Sequence, residues 1–292
     1  MPSTLTQAEK FLVDFHDRHP GITSDAFKSL RAVKAGEAAA SSYQFLASIV
    51  PIEDRPISLL DLACGDGHLL ALIASSRKTP TKLVGIDISA GELAAAEMRL
   101  GPCASLVRAR AQEIPLVTGS MDFVLCHMAL MLMDDLDSVI EQVRRVLRLG
   151  GVFSFVVGAK PPSSAALDLY IARLRTTRKI LGTAVPTLGD RRLANPEHIQ
   201  QLLSKHFNEI SCEDISIIRR YKPSELWEWF EGMYDLHGIP ALEQATMRSR
   251  YIEELSPLCE EDGKLEFTDY LRQVRAVAAY PLVRADPLRQ AV

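Results

Sequence analysis

Two kinds of apolar pattern alternate along the chain, and the alternation predicts a layered α/β protein. Short runs that are apolar almost throughout fall at Ile57–Ala63 (ISLLDLA), Lys82–Ser89 (KLVGIDIS), Ser105–Ala109, Met121–Met128 (MDFVLCHM) and Gly151–Gly158 (GVFSFVVG). Each has the length of a strand and no polar face, as expected of strands buried on both sides. Between them lie helical segments. Asp66–Arg77 carries Leu69, Leu70, Leu72 and Ile73, and Gly91–Leu100 is rich in alanine. Leu136, Val139, Ile140, Val143, Val146 and Leu147 recur at three- and four-residue spacing, and Gly150 stands where a C-cap glycine belongs. Strand and helix in this order specify a doubly wound, Rossmann-like parallel sheet covered by helices.

The flanks are less regular. Residues 1–50 predict two or three helices, broken at His19-Pro20-Gly21 and Ser41-Ser42. Beyond Gly158 the pattern gives a helix over Ser163–Leu181. Asn195-Pro196-Glu197 then opens a helix running to about Lys205. Glu209–Arg220 reads as a strand, residues 223–256 as helical, and Thr268–Val277 as a last strand. The expected division is an N-terminal helical cap (1–50), a cofactor-binding α/β core (51–160) and a remainder (161–292). The remainder completes the sheet with 195–220 and 264–280. Its helical insertions, 161–194 and 222–260, join the cap as a substrate lid.

Composition narrows the function. With 292 residues, 47% hydrophobic and 24% charged, the chain can bury a large core. Its net charge of −4 comes without a basic stripe, which argues against nucleic acid and toward a small-molecule substrate. Cys64, Cys103, Cys126, Cys212 and Cys259 form no CxxC pair, so free thiols are expected rather than disulfides or a metal site. No signal-peptide core and no long apolar run is present, and a cytoplasmic protein without membrane partners is the expectation.

The sharpest chemical signal is Leu60-Asp61-Leu62-Ala63-Cys64-Gly65-Asp66-Gly67 at the first strand–helix junction. Small residues at 63, 65 and 67 allow a tight turn and close approach of a ligand to the backbone. Twenty residues beyond Gly67, Asp87 ends the second strand, where an acid can hold ribose hydroxyls. A dinucleotide and S-adenosylmethionine both fit that outline. The loop acids Asp61 and Asp66 repel a pyrophosphate, whereas a cofactor bearing a sulfonium and an ammonium gains from them. The loop therefore selects S-adenosylmethionine.

Four stretches, LDLACGDG, VGIDIS, AQEIPLVTGSMDFVLCHMAL and VLRLGGVFSFVV, span about 100 residues. Together they resemble the class I S-adenosylmethionine-dependent methyltransferases, in particular their bacterial small-molecule branch. The resemblance implies that Ala63, Cys64 and Gly65 line the methionine and adenosine through their backbone. It places Asp61 near the ammonium, Asp87 on both ribose hydroxyls and Ile88 on the adenine face. Ala111 and Gln112 fall at the adenine edge, and His127 and Met128 near the reaction centre, with His127 the candidate catalytic residue. Tyr43 falls where relatives cover the methionine tail. The chain departs from the family at Arg110, where an acid usually precedes the Ala-Gln pair. A guanidinium cannot accept the adenine amino group's hydrogen bond, which leaves Gln112 or the backbone for that contact and Arg110 for solvent.

Other readings stay open. Asp61 could tie the loop. Cys64 reads as a small hydrophobe rather than a nucleophile. His127 is either site-facing or a core histidine, and His16 and His19 either reach the site from the cap or lie on the surface. The aromatic stretch Leu226, Trp227, Trp229, Phe230, Met233, Tyr234 and Leu236 is core or an acceptor-pocket lid. Methyl transfer from a sulfonium is an in-line displacement that needs alignment more than a nucleophile, in keeping with the lack of a triad or metal cluster in the sequence. The second reading is a cyclase of the same fold that closes azetidine-2-carboxylate from the cofactor and releases methylthioadenosine. The third is a non-catalytic cofactor-binding module. The acceptor and the oligomeric state are not specified.

Overall fold

A computed structural model of the chain describes residues 4–52, 55–77, 81–159 and 164–279. Ser163, at the expected start of one helix, and the stretch from residue 280 lie outside them. The N-terminal segment holds helices α1 (Gln7–Arg18) and α2 (Ile22–Phe27), strands β1 (Ala32–Lys34) and β2 (Glu37–Ala39), and helix α3 (Ser42–Ala47). The central segment runs β3 (Ile57–Leu62), α4 (His68–Ser76), β4 (Thr81–Asp87), α5 (Ala90–Leu100), β5 (Ser105–Arg108), β6 (Met121–His127), α6 (Leu136–Val146) and β7 (Leu147–Gly158). The C-terminal segment adds α7 (Ala165–Leu181), α8 (Pro196–Leu203), β8 (Phe207–Tyr221), α9 (Pro223–Glu231), α10 (Ala241–Leu255) and β9 (Leu265–Ala278).

The nine strands of the described residues belong to one sheet, in the order β2-β1-β8-β9-β7-β6-β3-β4-β5. The five apolar runs are its parallel half, β7 to β5, and β9, β8, β1 and β2 extend it antiparallel. From β3 the chain winds outward through β4 and β5, then returns to β6 on the other side of β3. The strand order reverses there, so the C-terminal ends of β3 and β6 open a crevice, the usual ligand position in such sheets. Alternation along the strands feeds two cores. Leu60, Leu62, Val124 and Phe155 pack with Val139, Ile140 and Ile199 of α6 and α8. Leu59, Leu125 and Val156 pack with Leu46, Leu69 and Leu70 of α3 and α4.

A third core lies among α7, α9 and α10, with Tyr221 and Phe267 at the ends of β8 and β9. Tyr170 stacks on Phe230 with centroids 4.2 Å apart, and Trp227 and Tyr251 close the cluster. Of the two readings of the aromatic stretch, core packing describes Leu226, Trp227 and Phe230, which are fully buried. Trp229 is half-buried and packs against both the second and the third core.

The structure corrects the sequence reading in four places. Residues 1–50 are not wholly helical: β1 and β2 form a hairpin turned at Ala35 and Gly36, both of positive φ, and β1 pairs with β8. The hairpin strands AVK and EAA carry no apolar alternation, and the pairing with β8 decides their conformation. Gly150 does not cap α6, because β7 starts at Leu147 directly after that helix. Gly150, with φ +74°, lies in a bulge between the pairs Met121–Leu147 and Phe123–Val152. Last, β9 begins at Leu265 rather than Thr268, and β8 at Phe207 rather than Glu209.

Gly67 starts α4 in the left-handed region at φ +76°, and a Cβ there would stand 2.7 Å from Leu100 Cδ1 and 3.2 Å from Ala96 Cβ. Gly67→Ala therefore combines backbone strain with overpacking, and a loss of about 1–3 kcal/mol is expected. Urea denaturation should show a lower midpoint at unchanged slope, and a midpoint equal to that of the wild type would contradict this account of the turn.

Candidate active site

The crevice is shaped by a backbone turn in which Ala63, Gly65 and Gly67 all have positive φ (58°, 52° and 76°). For Ala63 this conformation costs about 1–2 kcal/mol, a strain held by the packing around it. Cys64 N donates to Ile86 O at 3.0 Å, and Gly67 N to Cys64 O at 3.0 Å, closing the turn onto β4. Cys64 is buried against Gly85, and burial together with Asp61 and Asp87 pushes its thiol pKa well up. It is a packed small side chain and not an activated thiolate.

Asp87 ends β4 and is nearly buried. Its Oδ2 accepts Gly65 N and its Oδ1 accepts Ser89 N, each at 2.9 Å. Burial raises its pKa while these two bonds counter the rise, and each oxygen keeps a lone pair for a further donor. Asp61 is 2% exposed, and its Oδ2 has no hydrogen-bond partner among the described residues. Burial first, then the neighbouring Asp87 and Asp66, push the Asp61 pKa far above the usual carboxylate range. A buried carboxylate oxygen left unpaired is costly, so this position fits a cation or a donor brought by a ligand.

Asp66 differs from its sequence reading. Its Oδ2 accepts Ser24 Oγ at 2.7 Å and pairs with Arg99, and its Oδ1 accepts His68 N at 3.3 Å. It ties the loop to α2 and α5, which leaves Asp61 as the loop acid with an uncommitted oxygen.

At the end of β6, His127 stacks on Tyr43 with centroids 3.6 Å apart and planes at 20°. Its Nε2 shares a hydrogen with Ser42 Oγ at 2.9 Å, and its Nδ1 is buried without a partner among the described residues. Burial, with a smaller contribution from His68, lowers its pKa to about 3, so the ring is neutral. Tyr43 is buried too, and burial plus the loop acids keep its phenol protonated. Met128, next along, has φ +54° and donates its N–H to Val156 O at 2.8 Å.

The adenine-edge expectation changes most. Arg110 does not point to solvent: Nε donates to Glu9 Oε1 at 2.8 Å and Nη1 to Glu113 Oε1 at 3.3 Å. Gln112 Nε2 is engaged with Asp134 O at 2.6 Å. Glu9 thus returns a carboxylate, from α1, to the edge where Arg110 replaces the customary acid.

The N-terminal segment lies over the crevice. Glu92, 3% exposed on α5, meets His16 Nδ1 at 2.9 Å and accepts Gly21 N at 2.8 Å. Asp17 Oδ1 accepts Ser89 Oγ at 2.6 Å and Gly91 N at 2.9 Å. His16 lines the crevice, whereas His19 is exposed beside Phe15 and does not. The resulting cleft is open to solvent and spans about 1030 Å³ with that open space counted in. Tyr43, Asp61, Ala63, Cys64, Gly65, Asp87, Ile88, Ala111, Gln112, His127 and Met128 all line it. Glu9, Leu12, Glu92 and Asp134 also line it and were missed. Glu9 and Glu92 left a trace in the sequence, three residues after the helix-capping Thr6 and Ser89, and that spacing reads as a cap rather than a clamp.

A family described as "Methyltransferase domain" matches residues 60–155. The chain is 36% identical over 153 residues to an uncharacterized methyltransferase of Synechocystis sp., covering 49% of this chain and 70% of that one. It is 31% identical over 228 residues to a malonyl-[acyl-carrier protein] O-methyltransferase of Methylococcus capsulatus, covering 75% and 76%. A solved structure of Haemonchus contortus phosphoethanolamine N-methyltransferase 2 with S-adenosyl-L-methionine superposes at a TM-score of 0.55 and 17% identity. It covers 96% of this chain and 62% of that one.

Glu92→Ala leaves Gly21 N and His16 without their partner, a loss of about 1–3 kcal/mol confined to the N-terminal segment. Trypsin should then cut near Arg18, Lys28 or Arg31 about tenfold faster at unchanged circular dichroism. Equal cutting rates would show that Glu92 does not hold the segment down.

Proposed function

We propose that the chain, which belongs to the class I S-adenosylmethionine-dependent methyltransferases and takes S-adenosylmethionine as its cofactor, methylates a small organic acceptor by in-line displacement. The observation that carries this reading is the unpartnered, buried Oδ2 of Asp61 beside the strand-end Asp87, in a cleft otherwise rich in satisfied carboxylates. That donor set fits a ligand with a cationic amino acid end and a ribose diol, and disfavours a pyrophosphate.

When bound, the cofactor supplies a methyl group on an already activated sulfonium. The protein's residues then have placement as their task. Asp61 holds the ammonium end, and Asp87 accepts the ribose hydroxyls through its remaining lone pairs. The backbone of Ala63, Cys64 and Gly65 approaches the ligand closely. Ile88 and Ala111 flank the base. Glu9, whose two oxygens already accept Thr6 N and Arg110 Nε, offers its remaining lone pairs to the amino group, since Gln112 Nε2 is committed to Asp134. Tyr43 and the neutral His127 form a stacked wall at the acceptor end that excludes water and, through the free Nδ1, can orient an acceptor. A ring whose pKa burial lowers this far is a weak base, so its task in the proposal is orientation.

The malonyl-[acyl-carrier protein] O-methyltransferase among the relatives supports a small-molecule or carrier-borne acceptor rather than a nucleic acid. No helix among the described residues is long and apolar enough to cross a membrane. Residues 1–50 serve as a cap that shields the cleft, and a cytoplasmic location remains part of this reading.

Two expectations follow. A cationic ligand beside Asp61 lowers the carboxyl pKa that burial raised, so binding releases a proton and tightens as pH rises. Calorimetry in buffers of different ionisation heat should detect that proton, and Asp61→Asn should abolish its release. Asp87→Asn should weaken S-adenosylmethionine binding by about tenfold or more. Unchanged affinity in Asp87→Asn, or proton release that persists in Asp61→Asn, would overturn the placement.

The reaction itself is tested by incubating the protein with S-adenosylmethionine alone and then with acceptor panels, following products by mass spectrometry. Intact cofactor alone, and S-adenosylhomocysteine with an acceptor, supports methyl transfer. Methylthioadenosine with a cyclised amino acid, formed without acceptor, would replace it by the cyclase reading, and bound but inert cofactor throughout by a binding module.

A further inference from the structure

The pairing of β7 with β9 stops at Gly158–Leu271, but β8 and β9 run on together past that point. Along β9, Gln273, Leu271 and Asp269 alternate onto one face, and Gln273 is in register with Val156 and so with His127. Arg219 and Tyr221 continue that face on β8, beside Asp269 and Phe267. This extension of the sheet thus carries polar residues on the side where the acceptor end of the cleft lies.

These residues are poorly satisfied. Arg219 Nε, Tyr221 OH and Trp229 Nε1 are buried and have no hydrogen-bond partner among the described residues. The Arg219 guanidinium lies over the Tyr221 ring at 4.4 Å and within 5.9 Å of the Trp229 ring. Its contact with Asp269 is a single long one, Nη2 to Oδ2 at 3.4 Å. Buried polar groups in folded proteins nearly always have partners. Tyr170 OH and Tyr251 OH of the third core lack one as well, but Arg219, Tyr221 and Trp229 are the orphans gathered around one guanidinium, and that grouping points to a ligand. All three can donate, and the ligand they fit offers acceptor oxygens. Burial pushes the Asp269 carboxyl up to about 7 even beside Arg219, so the guanidinium is only partly compensated near neutral pH. A cationic ligand fits badly, because Arg219 itself already occupies the aromatic faces.

The cluster and the cleft share one core. Trp229 packs against the core that contains Phe27, and the Phe27 ring lies 6.0 Å from that of His127. From the row of His127 to that of Asp269 is four residues along the sheet and two strands across, on the order of 16 Å between Cα atoms. Between the two rows that face carries Leu271, which belongs with Phe27 and Trp229 to the same packed cluster. The Arg219 side chain is 23% exposed, which leaves the cluster a solvent side for entry.

We propose that Arg219, with Tyr221 and Trp229, is an acceptor subsite that binds the carboxylate of an elongated organic acid whose other end reaches His127. The inference rests on the methyl-transfer reading of the cleft and names the class of acceptor it takes.

The test uses the full chain saturated with S-adenosylhomocysteine, titrated with 4-phenylbutyrate and with its neutral amide. Tryptophan fluorescence is the readout, as Trp227 and Trp229 are the chain's two tryptophans. The acid should bind about tenfold tighter than the amide, Arg219→Gln should erase that preference, and Arg219→Lys should keep part of it. Tyr221→Phe, which removes one hydroxyl and preserves the packing, should lose several-fold of acid binding. S-adenosylhomocysteine affinity should stay unchanged in all three variants. Equal binding of acid and amide by the wild type, or a preference that survives in both Arg219→Gln and Tyr221→Phe, would overturn the subsite alone. Failure of the wild type to bind S-adenosylhomocysteine would instead sink the methyl-transfer reading beneath it.

Discussion

The hydrogen bond from Gly65 N to Asp87 Oδ2 is the constraint on which the site depends. A carboxylate buried at a strand end is unfavourable unless donors meet it, and the N–H that meets Asp87 exists only because the chain turns left-handed after β3. That turn needs small residues at 63, 65 and 67, and its Cys64 needs Gly85 beneath it, where a Cβ would come within 2.8 Å of the Cys64 sulfur. Two parallel strands ending side by side therefore fix a loop, an acid and a helix start together. The reversal of strand order between β3 and β6 leaves that assembly facing open space rather than another strand.

Carboxylates gather around this space, and the way each is satisfied sorts their roles. Asp66 is spent on Ser24 and Arg99, Glu92 on His16 and Gly21, Glu9 on Thr6 and Arg110. These pairings bind the N-terminal segment to the sheet. Asp61 is the exception, with an oxygen unmatched and a pKa pushed up by burial and by its acidic neighbours. The acids that hold the N-terminal segment in place are thus met by hydrogen-bond donors, and Asp61 keeps an oxygen that is not.

The parallel half of the fold was legible because its strands are buried on both faces and read as unbroken apolar runs. The residues of the cleft floor were legible for a related reason: a tight turn and a strand-end acid are local features, and residues 60–67 and 87–88 lie close together in sequence. The hairpin of β1 and β2 was not legible, since Ala, Lys and Glu carry no strand pattern and pairing with β8 decides their conformation. Gly150 misled because a glycine after an amphipathic helix is normally its cap, and here the strand pairs before reaching it. Arg110 was misjudged because its partner Glu9 lies 101 residues earlier in the chain, a contact no local pattern encodes.

The same reasoning explains why the acceptor side is harder to read than the cofactor side. The proposed cofactor end rests on a left-handed turn and one strand-end acid, which are short local patterns. The proposed acceptor end draws on side chains of α2, α3, β6, β8, α9 and β9, which the antiparallel extension of the sheet brings onto one side. Nothing in the spacing of Phe27, Tyr43, His127, Arg219 and Trp229 announces that they share one face. What identifies the region is its energetics: Arg219, Tyr221 and Trp229 bring three unpaired donors together around one guanidinium. In the proposed placement the cofactor rests on the parallel half without help from β8 and β9, so side chains on that ribbon can change with the acceptor while the strained turn below stays intact.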